Sequence, residues 1–406
     1  MVSECMKNNK KESINICFAC YDNYAQHTGV VISSVLQNYR GNFTLNFFVV
    51  YSYISPENIE KLKKVAETSI SHIEFVFVDR EKFASLCGSA NERFLPECFL
   101  KLKMADFLKG LDKVIFLDSD IVVLGDISEL WNTDVDNYSI AAVRDFADLS
   151  HLADITGGHE YFNSGILVIN LKKWRDENTE ERLFNFLKDY PDRMVWNDQD
   201  LLNGVLYNEV KYLDDGWDFQ YNVDNPEIDE KIASTEIKLI HYVTRNKPWS
   251  AGHFSYKFRD KYLYYLMKTP WKLNVFSIYF TIWKKRLFGE YFVRKEQKKQ
   301  LTRLRELAKG RTVVFWGASN YLRSFIINCK LEDNNILGIV DANREKAGQT
   351  FGRYKIFSSD CLCELKPDLV ISAVVNQPKM KKTISHELKQ LGISSEVVDD
   401  LFYLID

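Results

Sequence analysis

Two carboxylates one residue apart, Asp118 and Asp120, interrupt the apolar run of residues 113–123. A buried strand carries such charges only where something offsets them. Because alternate residues of a strand point to one face, we expect both side chains to share a face at the strand end. Paired carboxylates are hard-oxygen ligands for Mg²⁺ or Mn²⁺, which keep positions for substrate phosphates. The pair predicts an enzyme that handles a nucleotide diphosphate; a strand-end turn with solvated acids is the simpler alternative.

Strands and helices alternate through the first 120 residues, and these elements must position the acids. Strands are predicted at 14–20, 45–51, 73–78 and 113–117, and helices at 27–38, 55–68 and 99–108. This alternation predicts an α/β fold with a doubly wound, mostly parallel sheet. Ligands of such sheets bind beyond the carboxyl ends of the strands, where residues 21–24 and 118–120 fall.

Composition and charge exclude several classes of protein. The 406 residues are 46% hydrophobic, enough for a large core in two domains, and the net charge of −3 predicts no nucleic-acid partner. No apolar run is long enough to cross a bilayer, and no signal core follows the N-terminus. The eight cysteines have no zinc-site spacing and are interpreted as free thiols. We therefore expect a cytoplasmic protein, and its oligomeric state is not predicted.

A basic, aromatic section separates the first domain, residues 1–267, from the tail. Residues 268–311 hold 13 Lys and Arg against 3 Glu, a local charge of about +10. The section at 268–310 is predicted to be a helical linker, with a basic helix at 293–309. It either packs as a cap on the first domain or binds an anionic membrane surface through residues 271–300.

The tail, residues 311–406, has the pattern of a small Rossmann-like domain. Strands are predicted at 312–316, 336–340 and 369–374, and a helix at 380–391. Of the dinucleotide fingerprint only Gly317 survives, since Ser319 and Leu322 replace the later glycines, although Asp341 stands near the usual ribose-binding position. A partial fingerprint is weak evidence for a cofactor, so the role of this domain stays open.

Five sequence blocks, in order, resemble glycosyltransferase family 8, the retaining enzymes of the GT-A fold. The blocks are Phe18-Ala19-Cys20-Tyr21-Asp22-Asn23-Tyr24-Ala25, Leu117-Asp118-Ser119-Asp120, the run from Tyr161 to Trp174 around Asn163-Ser164-Gly165, Asn197-Asp198-Gln199-Asp200, and His241-Tyr242 with Lys247-Pro248-Trp249. The resemblance covers about residues 14–250. It implies a GT-A glycosyltransferase that uses a UDP-sugar and Mn²⁺ or Mg²⁺.

The resemblance also assigns residues to the donor. It implies metal ligands at Asp118, Asp120 and His241, and a diphosphate contact at Lys247. Residues expected to hold the nucleotide are Ala19, Tyr21, Asn23, Tyr24 and Lys101. Three positions depart from the family pattern: Tyr21 replaces an aspartate, Lys101 an arginine, and Thr244 a glycine. Lys101 keeps the charge without the bidentate fork, and the loop at Thr244 is expected to lie differently or to use the hydroxyl.

Around the donor sugar the resemblance implies catalytic roles for Gln199, Asp198, Asp145 and Asn163. Retaining glycosidases use a carboxylate nucleophile, and Gln199 is a poor nucleophile. Front-side attack, with Gln199 stabilising the oxocarbenium ion, is therefore the expected route. Turn capping is the simpler interpretation of Asn163 and Asp198.

The predicted function is transfer of a hexose from UDP-glucose or UDP-galactose to a glycan or glycolipid acceptor in lipopolysaccharide, capsule or other surface-glycan synthesis. A self-glycosylating primer enzyme and a catalytically inactive sugar- or membrane-binding protein are the alternatives. A nucleotidylyltransferase would need a glycine-rich basic loop after the first strand, and residues 21–24 offer none.

Overall fold

The structure is a computed structural model of the whole chain. It describes residues 13–86, 96–145, 150–225, 227–250, 256–329, 335–341, 343, 346–351, 353–374 and 380–402. The predicted lack of a signal core concerns residues 1–12 and lies outside these ranges. The chain divides into two compact units, Met1–Trp283 and Lys284–Asp406.

Among its described residues, the first unit has ten strands. They are β1 Ser13–Ala19, β2 Thr44–Tyr51, β3 Ser71–Phe77, β4 Lys113–Leu117, β5 Ile121–Val123, β6 Ile140–Ala142, β7 Ile166–Asn170, β8 Val210–Tyr212, β9 Phe219–Gln220 and β10 Leu239–His241. Seven form a sheet of order β3-β2-β1-β4-β7-β6-β8, and β5, β10 and β9 form a second sheet. In the larger sheet only β7 runs antiparallel to its neighbours. The predicted mostly parallel α/β sheet is confirmed.

Helices flank these strands. They are α1 Ala25–Asn38, α2 Pro56–Ala66, α3 Arg80–Leu86, α4 Met104–Phe107, α5 Ile127–Trp131, α6 Ala153–Thr156, α7 Leu171–Asp176, α8 Thr179–Asp189, α9 Asp198–Leu206, α10 Ile228–Ser234, α11 Arg259–Leu266 and α12 Asn274–Ala308. Short 3₁₀ helices occupy Asp22–Tyr24, Pro96–Lys103, Ser150–Leu152, Pro191–Arg193 and Asp215–Asp218. Local chemistry starts several of these helices; Ser55, for example, caps α2 by accepting the N–H of Asn58, with Pro56 at the first position.

Both faces of the larger sheet are buried, which explains the uninterrupted apolar strands. In β4, Ile115 and Leu117 belong to one hydrophobic cluster, while Val114 and Phe116 belong to the cluster on the opposite face. This period of two fixes the register of β4 and the point where its acids emerge.

Two local predictions need correction. The helix expected at 99–108 is a 3₁₀ helix, Pro96–Lys103, followed by the short α4. The strand predicted at 113–117 is present as β4, but it does not continue into the acids, and β5 begins at Ile121 in another sheet. Asp118 and Asp120 therefore lie on a turn, so strand alternation is the wrong reason for their proximity.

The described part of the second unit forms a separate sheet of six strands. Its strands are β11 Val313–Trp316, β12 Ile336–Asp341, β13 Thr350–Phe351, β14 Tyr354–Ser358, β15 Leu369–Ser372 and β16 Glu396–Val398. Their order is β13-β14-β12-β11-β15-β16, parallel except for β13. Its helices are α13 Asn320–Cys329, α14 Leu362–Leu365 and α15 Met380–Gln390, with a 3₁₀ helix at Ser359–Cys361.

The basic section forms one helix, α12, which starts earlier than the predicted basic helix at 293–309. Val275 and Ile278 are buried in the core of the first unit, and Leu304 and Ala308 in that of the second. Within the described residues, no helix has the length and apolar character needed to span a membrane.

Candidate active site

Two sheets bring the predicted metal ligands together. β5 pairs antiparallel with β10, which sets Ile121 opposite His241 at the end of β10. The backbone N–H of Tyr242 donates to the carbonyl of Asp120 at 3.0 Å. One ligand atom each from Asp118, Asp120 and His241 lies within 4.8 Å of the others. The strand pairing, rather than strand alternation, gathers the three side chains.

A buried aspartate that the sequence analysis missed orients the histidine. Oδ1 of Asp218 lies 2.9 Å from Nδ1 of His241, which turns Nε2 toward Asp120 Oδ1, 3.4 Å away. Burial alone would lower the pKa of His241, but Asp218 and Asp120 raise it to about 10. Ring orientation by a buried carboxylate is typical of metal-binding histidines.

Gly165 makes room for the imidazole. A Cβ placed on Gly165 would lie 2.3 Å from Cε1 of His241, a distance that real side chains do not tolerate. The carbonyl of Gly165 also accepts the backbone N–H of Asp118 at 2.8 Å. The glycine of the Asn-Ser-Gly block is therefore a steric requirement of the three-residue cluster.

Lys101 is buried among acids. Its Nζ lies 3.2 Å from Asp118 Oδ1 and 2.9 Å from Asp198 Oδ2, and it donates to the carbonyl of Ser164 at 3.1 Å. Burial by itself would lower the pKa of Lys101, but the two carboxylates raise it above its ordinary value. The Lys101 ammonium thus offsets charge from two separate blocks of the sequence.

Lys247 provides a second cation, from the loop after β10. Its Nζ lies 2.6 Å from Asp120 Oδ2, and it also donates to the carbonyl of Tyr242. Burial would raise the pKa of Asp120, yet His241 and Lys247 hold it below the ordinary range. Desolvation within the site raises the pKa of the neighbouring Asp118.

The predicted sugar-site residues form one hydrogen-bonded group. Asp145 Oδ2 accepts from Asn163 Nδ2 and from Gln199 Nε2, both at 3.0 Å. Gln199 Oε1 accepts the backbone N–H of Ser164 at 3.0 Å, and the Ser164 hydroxyl donates to Asp198 Oδ2 at 2.9 Å. Because a carboxylate only accepts, Asp145 fixes which end of each amide faces it.

The predicted nucleotide residues lie around the end of β1. Ala19 ends the strand, Asn23 is exposed, and the rings of Tyr21 and Tyr24 lie 4.7 Å apart. Tyr24 also makes an edge contact with Trp249, at 6.4 Å between centroids. The first and last sequence blocks therefore meet through two aromatic rings.

His27 is a second residue that the sequence analysis missed. Its ring stacks on Trp249 at 3.7 Å, and its Nδ1 lies 2.7 Å from the hydroxyl of Tyr262. Burial lowers the pKa of His27 to about 4. A neutral, buried imidazole thus fixes Trp249, and with it the loop that carries Lys247.

Thr244, at the position of the family glycine, has a φ of 72°. A threonine rarely adopts this left-handed conformation, which glycine takes readily. The loop therefore has a left-handed backbone of the kind glycine favours, at a cost in strain.

The residues present fit a divalent ion. Two carboxylates and an imidazole form a donor set that suits Mn²⁺ or Mg²⁺, and Asp218 Oδ2 is a buried oxygen without a hydrogen-bond partner among the described residues.

No sequence signal marked Asp218 or His27, because each acts through a residue distant in the chain.

Comparison with known proteins identifies the chain as a glycosyltransferase. It belongs to glycosyltransferase family 8: the sequence profile described as Glycosyl transferase family 8 matches residues 15–252. A second profile, described as C2185-like, N-terminal, matches residues 309–398.

The chain is also similar to individual proteins and to a solved structure. The chain is 29% identical to General stress protein A of Bacillus subtilis (strain 168) over 64% of this chain and 96% of that protein. It is 27% identical to Lipopolysaccharide 1,2-glucosyltransferase of Escherichia coli (strain K12), over 65% and 80%. The crystal structure of galactosyltransferase LgtC with donor and acceptor sugar analogs matches with a TM-score of 0.55 at 25% identity, over 63% of this chain and 96% of that one.

Proposed function

We propose that the protein is a metal-dependent, retaining hexosyltransferase that moves glucose or galactose from UDP-glucose or UDP-galactose to a glycan acceptor of lipopolysaccharide, capsule or another surface glycan. The observation that carries the proposal is the convergence of Asp118, Asp120 and His241 beside Lys247. The names of the glucosyl- and galactosyltransferase relatives support the sugar class.

The donor diphosphate is proposed to bind between this cluster and the loop after β10. A divalent ion on Asp118, Asp120 and His241 would neutralise the charge that develops on the leaving diphosphate. Lys247 supplies a compact cation for the same phosphates. Tyr21, Asn23, Tyr24 and Ala19 are proposed to hold uridine, with Tyr24 as the stacking ring.

Gln199 is proposed to face the anomeric carbon. Both ends of its amide are held, by Asp145 and by Ser164, so the group is preorganised. An amide cannot replace the carboxylate nucleophile of a retaining glycosidase. Gln199 Oε1 would stabilise the oxocarbenium ion, and a leaving phosphate oxygen would take the acceptor proton. Asn163 and Asp198 hold this group in place, and Lys101 balances the charge of Asp198.

Donor hydrolysis tests this proposal without an identified acceptor. The protein is incubated with Mn²⁺ and a panel of UDP- and GDP-sugars, and release of the nucleotide is measured. We expect slow release of UDP from UDP-glucose or UDP-galactose, abolished by a chelator. The anomer first formed, observed by NMR, should retain configuration. Release of GDP alone, an inverted product or full activity with chelator would contradict the assignment.

The same incubation separates the alternative functions. A self-glycosylating primer enzyme would gain one or more hexose masses, seen by intact-mass measurement. An inactive binding protein would release no UDP. The fixed orientation of Gln199 favours the transferase over the inactive protein.

An anionic membrane surface is proposed as a further partner, through residues 271–300. On α12 the apolar side chains Phe276, Tyr279, Phe280 and Trp283 are 53% to 73% exposed. Their spacing puts them on one stripe, while Val275 and Ile278 on the other side are buried. The local excess of Lys and Arg complements anionic lipid.

Vesicle sedimentation tests the membrane proposal. We expect binding to phosphatidylglycerol vesicles but not to pure phosphatidylcholine, with added salt weakening it. A Phe276→Ser, Trp283→Ser variant should bind far less, whereas Tyr138→Ser should bind normally. Equal sedimentation of the protein with both lipids, or full binding by the double variant, would count against the stripe.

The three-part division, with domains at 1–267 and 311–406 and a linker at 268–310, is retained as a proposal. It assigns transfer chemistry to the first domain and leaves the tail a binding or assembly role.

A further inference from the structure

The segment that precedes α9 exposes two apolar side chains beside the proposed sugar site. Val195 and Trp196 are each 52% exposed. An indole offers a large, rigid apolar face, and exposed apolar surface of this kind marks binding sites. Trp196 is two residues from Asp198 and three from Gln199 in the chain, and its carbonyl accepts the backbone N–H of Gln199, so it lies next to the proposed sugar site.

A buried carboxylate holds this segment in place. Oδ2 of Asp200 accepts the backbone N–H groups of Val195 and Trp196, both at 2.6 Å. Oδ1 of the same side chain accepts from the hydroxyl of Tyr161 at 2.5 Å and lies 3.0 Å from Nε2 of His151. Asp200 is completely buried. The exposed side chains are therefore carried on a backbone tied to the core of the domain.

The turn from this segment into α9 is strained. Asn197 has φ 53° and ψ −125°, a conformation that residues other than glycine rarely adopt. The carbonyl of Trp196 accepts the backbone N–H of Gln199 at 3.1 Å. This geometry fixes the tryptophan relative to Gln199, and it directs the Val195 and Trp196 side chains outward instead of into the core.

We propose that Trp196 is the stacking platform for a pyranose ring of the acceptor glycan, with Val195 extending the apolar surface. One face of a pyranose carries C–H groups with partial positive charge, and the indole face is negative. Such a contact recognises a sugar ring without needing a charge on it. The inference rests on the proposed function, because Gln199 marks the donor side of the reaction.

Saturation-transfer NMR with soluble glycosides tests the platform. The probes are methyl glycosides of glucose, galactose and N-acetylglucosamine, added to the full chain with UDP and Mn²⁺. We expect saturation of the ring C–H protons, reduced at least tenfold in Trp196→Ala and largely kept in Trp196→Phe. The control is Tyr138→Ala, which removes an exposed aromatic ring just before β6, at the end of that strand away from Asp145; it should match the unmodified protein.

Kinetics with the best glycoside give a second measurement. Trp196→Ala should raise the acceptor KM at least tenfold and the donor KM less than twofold. Three results would contradict the proposed role of Trp196. These are full NMR saturation transfer in Trp196→Ala, no NMR saturation transfer to any of the glycosides with the unmodified protein, and equal rises in the donor and acceptor KM. Failure of the proposed function is distinguishable, because it would appear as no UDP release from any UDP-sugar by the unmodified protein.

Discussion

Acids follow parallel strands in both units, but the partners of these acids differ. After β4, Asp118 and Asp120 face the ammonium groups of Lys101 and Lys247, which come from other elements. At the end of β12, Asp341 mainly accepts backbone N–H groups, from Ala318 and Asn343 at 2.7 and 2.9 Å, and the Lys346 ammonium from its own loop lies 3.1 Å away.

The different partners of these acids indicate what allows the end of a parallel sheet to bind a ligand. The N–H of Ala318 belongs to the loop after β11, where a dinucleotide fold would offer its donors to phosphate. Here the Asp341 carboxylate accepts the N–H of Ala318 in the place of a phosphate. In the first unit the cations are long side chains that can exchange a carboxylate for a phosphate. Parallel strands supply the position, and the partners of the acids decide its use.

Removal of one acid from the catalytic edge should have the largest effect. Asp120→Asn removes a metal ligand and the partner of Lys247, so kcat/KM for donor hydrolysis should fall on the order of a thousandfold. Circular dichroism should show an intact fold. The exposed Asp136→Asn serves as control and should keep full activity. Wild-type hydrolysis by Asp120→Asn would place the catalytic ion elsewhere.

The carboxylate behind the histidine should have the next largest effect. Asp218→Asn removes the charge that orients His241, and such changes cost metal affinity about 10- to 100-fold. Mn²⁺ binding followed by electron paramagnetic resonance measures this directly. Asp215→Asn, three residues earlier and exposed, is the matched control. Unchanged Mn²⁺ affinity in Asp218→Asn would show that His241 needs no such partner.

In the tail, the corresponding change should alter stability and leave catalysis intact. Asp341→Asn leaves the buried N–H of Ala318 poorly satisfied, which costs about 1–3 kcal/mol. Hydrogen exchange of the β11 amides should then accelerate about tenfold to a hundredfold, while donor hydrolysis stays at the wild-type rate. The exposed Asp360→Asn is the control. A loss of donor hydrolysis in Asp341→Asn would break the comparison between the two edges.

The contribution of the Asp341 carboxylate to the stability of the tail should depend on pH in one direction. Burial would raise the pKa of Asp341, but the N–H groups of Ala318 and Asn343 and the ammonium of Lys346 lower it overall. A group with a lowered pKa in the folded state stabilises above its unfolded pKa, about 3.9, and loses this contribution as pH falls through the folded value. The difference in hydrogen-exchange rate between the wild type and Asp341→Asn should therefore persist at pH 5 and shrink below about pH 4.

The smallest expected effect is a change in the free energy of unfolding at a residue with a positive φ, a backbone conformation found in both units. Gly317 in the tail has φ 101° and Thr244 in the catalytic unit has φ 72°. Thr244→Gly should relieve strain and stabilise the first unit by about 1 kcal/mol, measured by urea unfolding. Thr235→Gly, at φ −109°, is the control and should destabilise slightly. A loss of stability in Thr244→Gly would mean that the threonine side chain makes a compensating contact.

Much of this architecture could be predicted because it depends on local patterns. Apolar runs and caps located β1, β2, β4 and α2 within about two residues, the spacing of the acids marked Asp118 and Asp120, and the family resemblance marked His241. Asp218 could not be predicted, since it lies in a 3₁₀ turn and reaches His241 only through the pairing of β9 with β10. The helical linker predicted at 268–310 contains α12, but the basic helix was placed only at 293–309, because the first half of α12 is apolar on two sides, which obscures a helical period.

One lysine limits how the gene could be recombined. Lys101 contacts Asp118, Asp198 and Ser164, so a single ammonium joins three blocks of the sequence, the most distant of them 97 positions from the lysine. A chimera that takes residues 96–120 from a relative with arginine there, and keeps 160–200 from this chain, would force a larger guanidinium into a space shaped for an amine. Exchange of all three blocks together would preserve the fit.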